Sequence, residues 1–190
     1  MPEAASTLVL VPTGYEAARL DLEPGSFAVC GFGLAAAGVG AARALAERRP
    51  ARAVLLGTAG SYDVERAPIG SAVVASAVRC VGIGAGDLSA AELGWAESDV
   101  VELDGTDGEL LSVAAASPSL EAATQRAAQH PAAVAEEMEG YAVALAARAF
   151  EVELTVVRGI SNLAGDRDHA RWRMTEALAA ARRLLDTIPA

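Results

Sequence analysis

Two hydrophobic periods alternate along the chain. Short, nearly continuous apolar runs read as strands: TLVLVP (7–12), FAVCGF (27–32), RAVLLG (52–57), SAVVASAVRCVG (71–82), ELLSVAAA (109–116) and VELTVVRG (152–159). Between them, apolar residues recur at helical spacing over 34–49, 119–130, 136–150 and 170–188. The last segment carries one stripe of Met174, Leu178, Ala181, Leu185 and Ile188, with Arg182 and Arg183 on the wet side. Val/Leu-rich strands alternating with helices predict a largely parallel sheet covered on both faces. Residues 83–108 hold neither period and read as a long loop region, of the kind that carries function in compact domains. No repeat, linker or low-complexity tail divides residues 1–190, which read as one domain.

Composition narrows the chemistry. A hydrophobic content of 53% suits a globular core, and Gly, Arg or Asp interrupts every apolar run before it reaches membrane-spanning length. The start MPEAASTLVLVP lacks a signal peptide's basic region and cleavage pattern, so the cytoplasm is the expected compartment. A net charge of −10 argues against nucleic acid or an anionic membrane surface as partner. The chain has no lysine, which excludes Schiff-base chemistry and a Walker-type phosphate site. Cys30 and Cys80 lie in apolar runs as small buried thiols. His130 and His169 are separated, without metal-ligand spacing, and neither metal nor cofactor is expected.

Polar residues gather where strands are predicted to end. Glu16 opens a helix after the first strand, and Thr58 follows the third. EEMEG (136–140) heads a buried helix carrying Tyr141, Leu145 and Ala149, and SNLAGDRD (161–168) follows the last strand. Each has a local explanation: a first-turn acid favoured by the helix dipole, a turn asparagine, a surface ion cluster at Asp166, Arg167 and Asp168. Together they place carboxylates and an amide where open α/β sheets bind ligands. Gly31-x-Gly33-x-x-Ala36 imitates a dinucleotide fingerprint. However, the next strand ends in Gly57 and Thr58 rather than the acid that would hold a ribose hydroxyl. A turn aimed at some other ligand is the better reading.

EEMEGYA, followed about twenty residues later by VVRGISNLAGDRD and a Trp, resembles the nucleoside phosphorylase and nucleosidase superfamily. LVLVPTGYEAARL and GTAGSY…PIGSAVV extend the resemblance over most of the chain. Within the superfamily the sequence most resembles the futalosine hydrolases, which serve an alternative menaquinone pathway. The resemblance implies a three-layer αβα sandwich with a mixed, mainly parallel central sheet. It also implies a homodimer and hydrolysis of a purine ribonucleoside, with futalosine the leading substrate and hypoxanthine the released base.

It implies site residues as well. Glu139 would accept hydrogen bonds from the ribose hydroxyls, with Met138 against the sugar face and Glu137, Thr58 and Ser161 completing the substrate contacts. Glu16 would activate water. Asn162 stands where methylthioadenosine/S-adenosylhomocysteine nucleosidases carry a proton-donating Asp. An amide cannot surrender a proton, but its two N–H donors match N7 and O6 of a 6-oxopurine. The chain departs from the nucleosidase branch in SVAAASPS (112–119), which holds no aromatic to cover the base. Stacking on the base is then weak there or comes from Tyr62, Trp95 or a partner subunit. It departs from the phosphorylases in lacking a GDP motif in PTGYEAARL, although Arg19 and Arg43 could face an anion. A phosphorylase, a methylthioadenosine-type nucleosidase and a non-catalytic nucleoside-binding protein remain the alternatives.

Overall fold

A computed structural model describes residues 7–86, 88–96 and 98–188; the reading of residues 1–6 lies outside them. In chain order the elements are β1 (Thr7–Val11), α1 (Gly14–Ala17), β2 (Phe27–Val29), α2 (Leu34–Arg48), β3 (Arg52–Ser61), β4 (Ala72–Val74) and β5 (Ala77–Val81). They continue with β6 (Gly84–Ala85), β7 (Leu88–Ser89), β8 (Val100–Glu102), β9 (Glu109–Val113), α3 (Leu120–Gln129), β10 (Ala133–Glu137), α4 (Gly140–Ala149), β11 (Glu153–Leu163) and α5 (Met174–Leu185).

Nine strands form one mixed sheet in the order β2-β1-β3-β10-β9-β5-β8, with β11 on the other side of β3 and β4 beyond it. Pairings β1–β2, β1–β3, β3–β11, β9–β10 and β5–β9 are parallel, whereas β3–β10, β4–β11 and β5–β8 are antiparallel. Strand β3 organises the sheet. Its first half pairs with β1, its last two residues pair with β10, and its whole length pairs with β11.

Side-chain alternation distributes the core to both faces. Leu8, Leu10 and Leu55 point to the layer of α2 and α4, where Ala37, Ala41, Val143 and Ala147 meet them. Val9, Val11, Val54 and Leu56 point the other way, to Leu178 and Ala181 of α5. Alanine lets the helices approach closely. Gly40 of α2 lies against the Cys30 carbonyl, where any Cβ would overlap it. Gly40→Ala is therefore expected to destabilise the protein by about 1–3 kcal/mol. Chemical denaturation measures this, and an unchanged midpoint would contradict that packing.

The sandwich matches the predicted class, with three local corrections. The run 71–82 is two strands on different partners, β4 and β5. The region 83–108 holds β6, β7 and β8. Residues 133–137, partly assigned to the head of a helix, form β10, and the helix begins only at Gly140. Among the described residues no helix is long and apolar enough to cross a membrane.

Candidate active site

A cavity of about 430 Å³ opens at the strand ends that β3 brings together. Pro12, Thr13, Tyr15 and Glu16 reach it from the segment after β1, Phe32 from the segment after β2, and Thr58, Ala59 and Gly60 from the second half of β3. Val113 and Ala116 enter from the end of β9, residues Glu136–Glu139 from the junction of β10 and α4, and Ser161 and Asn162 from β11. Arg167, Trp172 and Met174 close the rim. All seven residues singled out in the sequence, Glu16, Thr58, Glu137, Met138, Glu139, Ser161 and Asn162, thus border one cavity.

Four buried glutamates line it, and their hydrogen bonds distinguish them. An ionised carboxylate can accept about four hydrogen bonds. Glu136 already accepts from Tyr62 Oη, the Ser117 N–H, Ser117 Oγ and Arg126 Nη1. Glu137 likewise accepts from Ser112 Oγ, the Glu139 and Gly140 N–H groups, and Arg158 Nη2. It is therefore Glu137 that caps α4, while Ser112 Oγ accepts from the Tyr141 N–H at 2.8 Å.

Capping by Glu137 leaves the neighbouring carboxylate, Glu139, for the cavity. Its Oε1 accepts from the Gly33 N–H at 2.8 Å and its Oε2 from Arg158 Nη2 at 3.1 Å, which leaves roughly two acceptor positions. Glu16 has three donors: the Thr58 N–H at 3.1 Å, Thr58 Oγ1 at 3.2 Å and Thr13 Oγ1 at 2.7 Å. Roughly one position remains on it. Thr58 sits within β3 rather than after it, and orients Glu16.

The glycine-rich turn thus has its target within the protein. Gly33 has φ of 80° and forms the N-cap of α2, so its N–H is turned onto Glu139. Gly31, at φ 110°, lies so close to Ala36 that a Cβ would come within 2.9 Å of that side chain.

Arg158 is the residue that periodicity missed. It is fully buried in β11, donates from Nη2 to both Glu137 and Glu139, and has no hydrogen-bond partner at Nε or Nη1 among the described residues. Gly57 makes room for it, because a Cβ there would overlap Nη1. Burial opposes its charge, but Glu137, Glu139 and Glu16 outweigh burial and raise its pKa, so the guanidinium stays protonated. A charge within the apolar run VELTVVRG was the available signal. Glu139 shows the opposite balance. Burial, with Glu137 and Glu16, outweighs Arg158 and the Gly33 N–H, and lifts its carboxyl to about 7.

Asn162 departs from the two-donor expectation. Its Oδ1 accepts from Ser161 Oγ at 2.7 Å, and Nδ2 gives one N–H to the Leu163 carbonyl at 2.6 Å. One N–H remains for a ligand. Ser161 therefore fixes the amide's orientation, its hydroxyl also lying 3.3 Å from the Ala59 carbonyl.

The apolar lining also differs from expectation. Tyr62 is bound to Glu136, and Trp95 is 69% exposed; neither is among the described residues lining the cavity. Tyr15, Phe32 and Trp172 are the aromatics that do line it, with Met138 packed on Leu111, Val113 and Ala133. Of the two arginines considered for an anion, Arg19 stacks on Tyr15 at 3.5 Å and Arg43 pairs with Glu47 at 3.9 Å; neither lines the cavity. Among the described residues, no group of three or more His, Cys, Asp or Glu could hold a metal ion.

The sequence model of the Phosphorylase superfamily matches residues 107–189. The fold is that of 5′-methylthioadenosine/S-adenosylhomocysteine nucleosidases. The enzyme of Colwellia psychrerythraea, solved with adenine, superposes with a TM-score of 0.79 at 18% identity over 96% of this chain and 93% of its own. The futalosine hydrolase of Helicobacter pylori superposes with a TM-score of 0.77 at 15% identity over 96% and 97%. In sequence, the futalosine hydrolase of Streptomyces coelicolor is 35% identical over 176 residues, covering 79% of this chain and 75% of the relative. The chain belongs to the futalosine hydrolase family of the phosphorylase superfamily.

Proposed function

We propose that this protein, acting as one domain, hydrolyses the N-glycosidic bond of a purine ribonucleoside, with futalosine the leading substrate and hypoxanthine the released base. The observation that carries this reading is the set of unfilled hydrogen-bonding positions around one cavity: about two on Glu139, one on Glu16 and one N–H on Asn162. They suit a diol, a water and a purine N7 respectively. Membership of the futalosine hydrolase family supports the choice of substrate.

In this mechanism Glu139 accepts from the two ribose hydroxyls, each charge-assisted bond contributing about 1.5–3 kcal/mol. Met138 packs on the sugar. The C1′–N9 bond breaks with its electron pair passing to the purine, leaving an oxocarbenium-like sugar. Glu16 takes a proton from water as the hydroxyl adds to C1′. The Asn162 N–H donates to N7, and the departing base takes its proton from solvent. Glu137 and Ser161, expected to touch substrate, act instead by positioning α4 and the Asn162 amide, and Thr58 by orienting Glu16. The exposed Phe32 and Tyr15 at the cavity mouth support a homodimer in which a partner covers them; sedimentation at graded concentration tests that.

Incubation with futalosine, inosine, adenosine and methylthioadenosine, with and without phosphate, tests the reading. Hypoxanthine release from futalosine without phosphate is expected. Release that requires phosphate, or tight binding with no base released, would overturn it.

The raised pKa of Glu139 adds a pH prediction. A diol that donates hydrogen bonds favours the ionised carboxylate, so below about 7 binding must displace a proton from Glu139. kcat/KM should therefore fall about tenfold per unit as pH drops below that value, since it reports free-enzyme ionisations. Calorimetry in buffers of different ionisation enthalpy should show proton release on binding near neutral pH. A pH-independent kcat/KM between 5 and 7 would contradict the assignment. For folding the sign is opposite to that of an ordinary ion-paired acid: the Glu139 contribution is fully present below about 4.5 and is lost as pH rises through about 7.

A further inference from the structure

If Asn162 offers a ligand one N–H, position 6 of the purine needs another reader. Among the described residues lining the cavity, Arg167 alone carries a positive charge, against four glutamates. It lies five residues beyond Asn162 on the segment leaving β11. Its neighbours Asp166 and Asp168 are paired with Arg171, at 2.8 and 3.4 Å, rather than with Arg167. The Arg167 guanidinium makes one hydrogen bond among the described residues, from Nε to the Asp166 carbonyl at 3.2 Å. Its two terminal nitrogens are left for a ligand. The group lies 5.2 Å from the Trp172 ring centroid, and Trp172 is itself held by a 3.0 Å bond from Nε1 to the Asp166 carbonyl.

We propose that Arg167 is the specificity residue for a 6-oxopurine, its guanidinium donating to O6 beside the Asn162 N–H on N7. This rests on the nucleosidase reading above. Arginine is a common donor to the O6 of guanine in protein–nucleic acid contacts, and hypoxanthine presents the same acceptor. Adenine places an amino group there, so donor would face donor. The position also serves the reaction. Asn162 cannot protonate the base, and electron density moves onto N7 and O6 as the C1′–N9 bond breaks. A fixed cation beside that edge is bound more strongly by the departing base than by the nucleoside.

Free hypoxanthine and adenine are suitable probes because neither carries a 5′-substituent, so a contact between Arg167 and that substituent cannot imitate the effect. Arg167 is exposed, and its replacement leaves the core untouched. Competition binding should show Arg167→Gln weakening hypoxanthine about tenfold or more, with adenine changed less than about threefold. Arg167→Lys should recover only part, because the charge is kept and the fork is lost. The kcat/KM ratio of futalosine to its 6-amino analogue should fall in step. Equal weakening of both bases would make Arg167 a prop for Trp172, and an unchanged preference would remove any role in reading position 6. Either result overturns this inference while wild-type hydrolysis stands. Absence of base release by the wild-type protein would instead remove the nucleosidase reading, and this inference with it.

Discussion

Glu16→Gln is expected to lower kcat by about 10²–10⁴-fold while changing ligand affinity only several-fold. The amide oxygen can keep the Thr58 N–H and hydroxyl donors, so the segment after β1 stays in place. Thr13 Oγ1 can turn to accept from the new NH₂ group where it now donates to Oε2. The position that would take a proton from water then presents an N–H instead. General-base action operates in the transition state and contributes little to ground-state binding, so the loss should fall on kcat. Single-turnover and steady-state kinetics on futalosine separate the two. A large rise in KM with unchanged kcat would make Glu16 a binding residue and leave hydrolysis without its base.

Glu139→Gln should reduce kcat/KM more than tenfold, a loss above ~1.4 kcal/mol. The amide can still accept from Gly33, but its NH₂ group then faces either the diol or Arg158 Nη2, and both are donors. The change acts on the fold as well as on the substrate. Arg158 keeps Glu137 but loses one of its two carboxylates while fully buried. Because burial already favours the uncharged form of Glu139, the variant should stay folded, with any loss of stability coming from the new NH₂ group against Arg158 Nη2. Kinetics and denaturation on the same preparation check both. A stable variant that retains more than a tenth of wild-type kcat/KM would show that the ribose is held elsewhere.

The contrast between these two glutamates and Glu137 marks what was legible in the sequence. Glu16, Glu139 and Asn162 were found because strand ends and a motif pair announce position. What separates an acid facing the cavity from an acid capping a helix is the number of donors already on it, and several of those come from distant segments: Gly33, Ser112 and Arg158. Periodicity failed at β10 for a related reason. Glu136 and Glu137 read as the head of the 136–150 helix, but they are the last two residues of β10. Both are buried, because Tyr62, Ser117, Arg126, Ser112 and Arg158 satisfy them. The alternating strands and helices were legible because the burial of β1 and β3 on both faces leaves a continuous apolar run. Arg167 has a local explanation in the sequence as part of a surface ion cluster, and sequence alone does not reveal that Arg171 pairs with both aspartates.

Hydrolysis itself is tested most directly by turning over futalosine in ¹⁸O-labelled water without phosphate. The sugar product should carry one ¹⁸O at its anomeric carbon and appear together with an equal amount of hypoxanthine. Turnover only after phosphate is added, yielding a sugar 1-phosphate without label at that carbon, would contradict the assignment of Glu16 as the base that activates water.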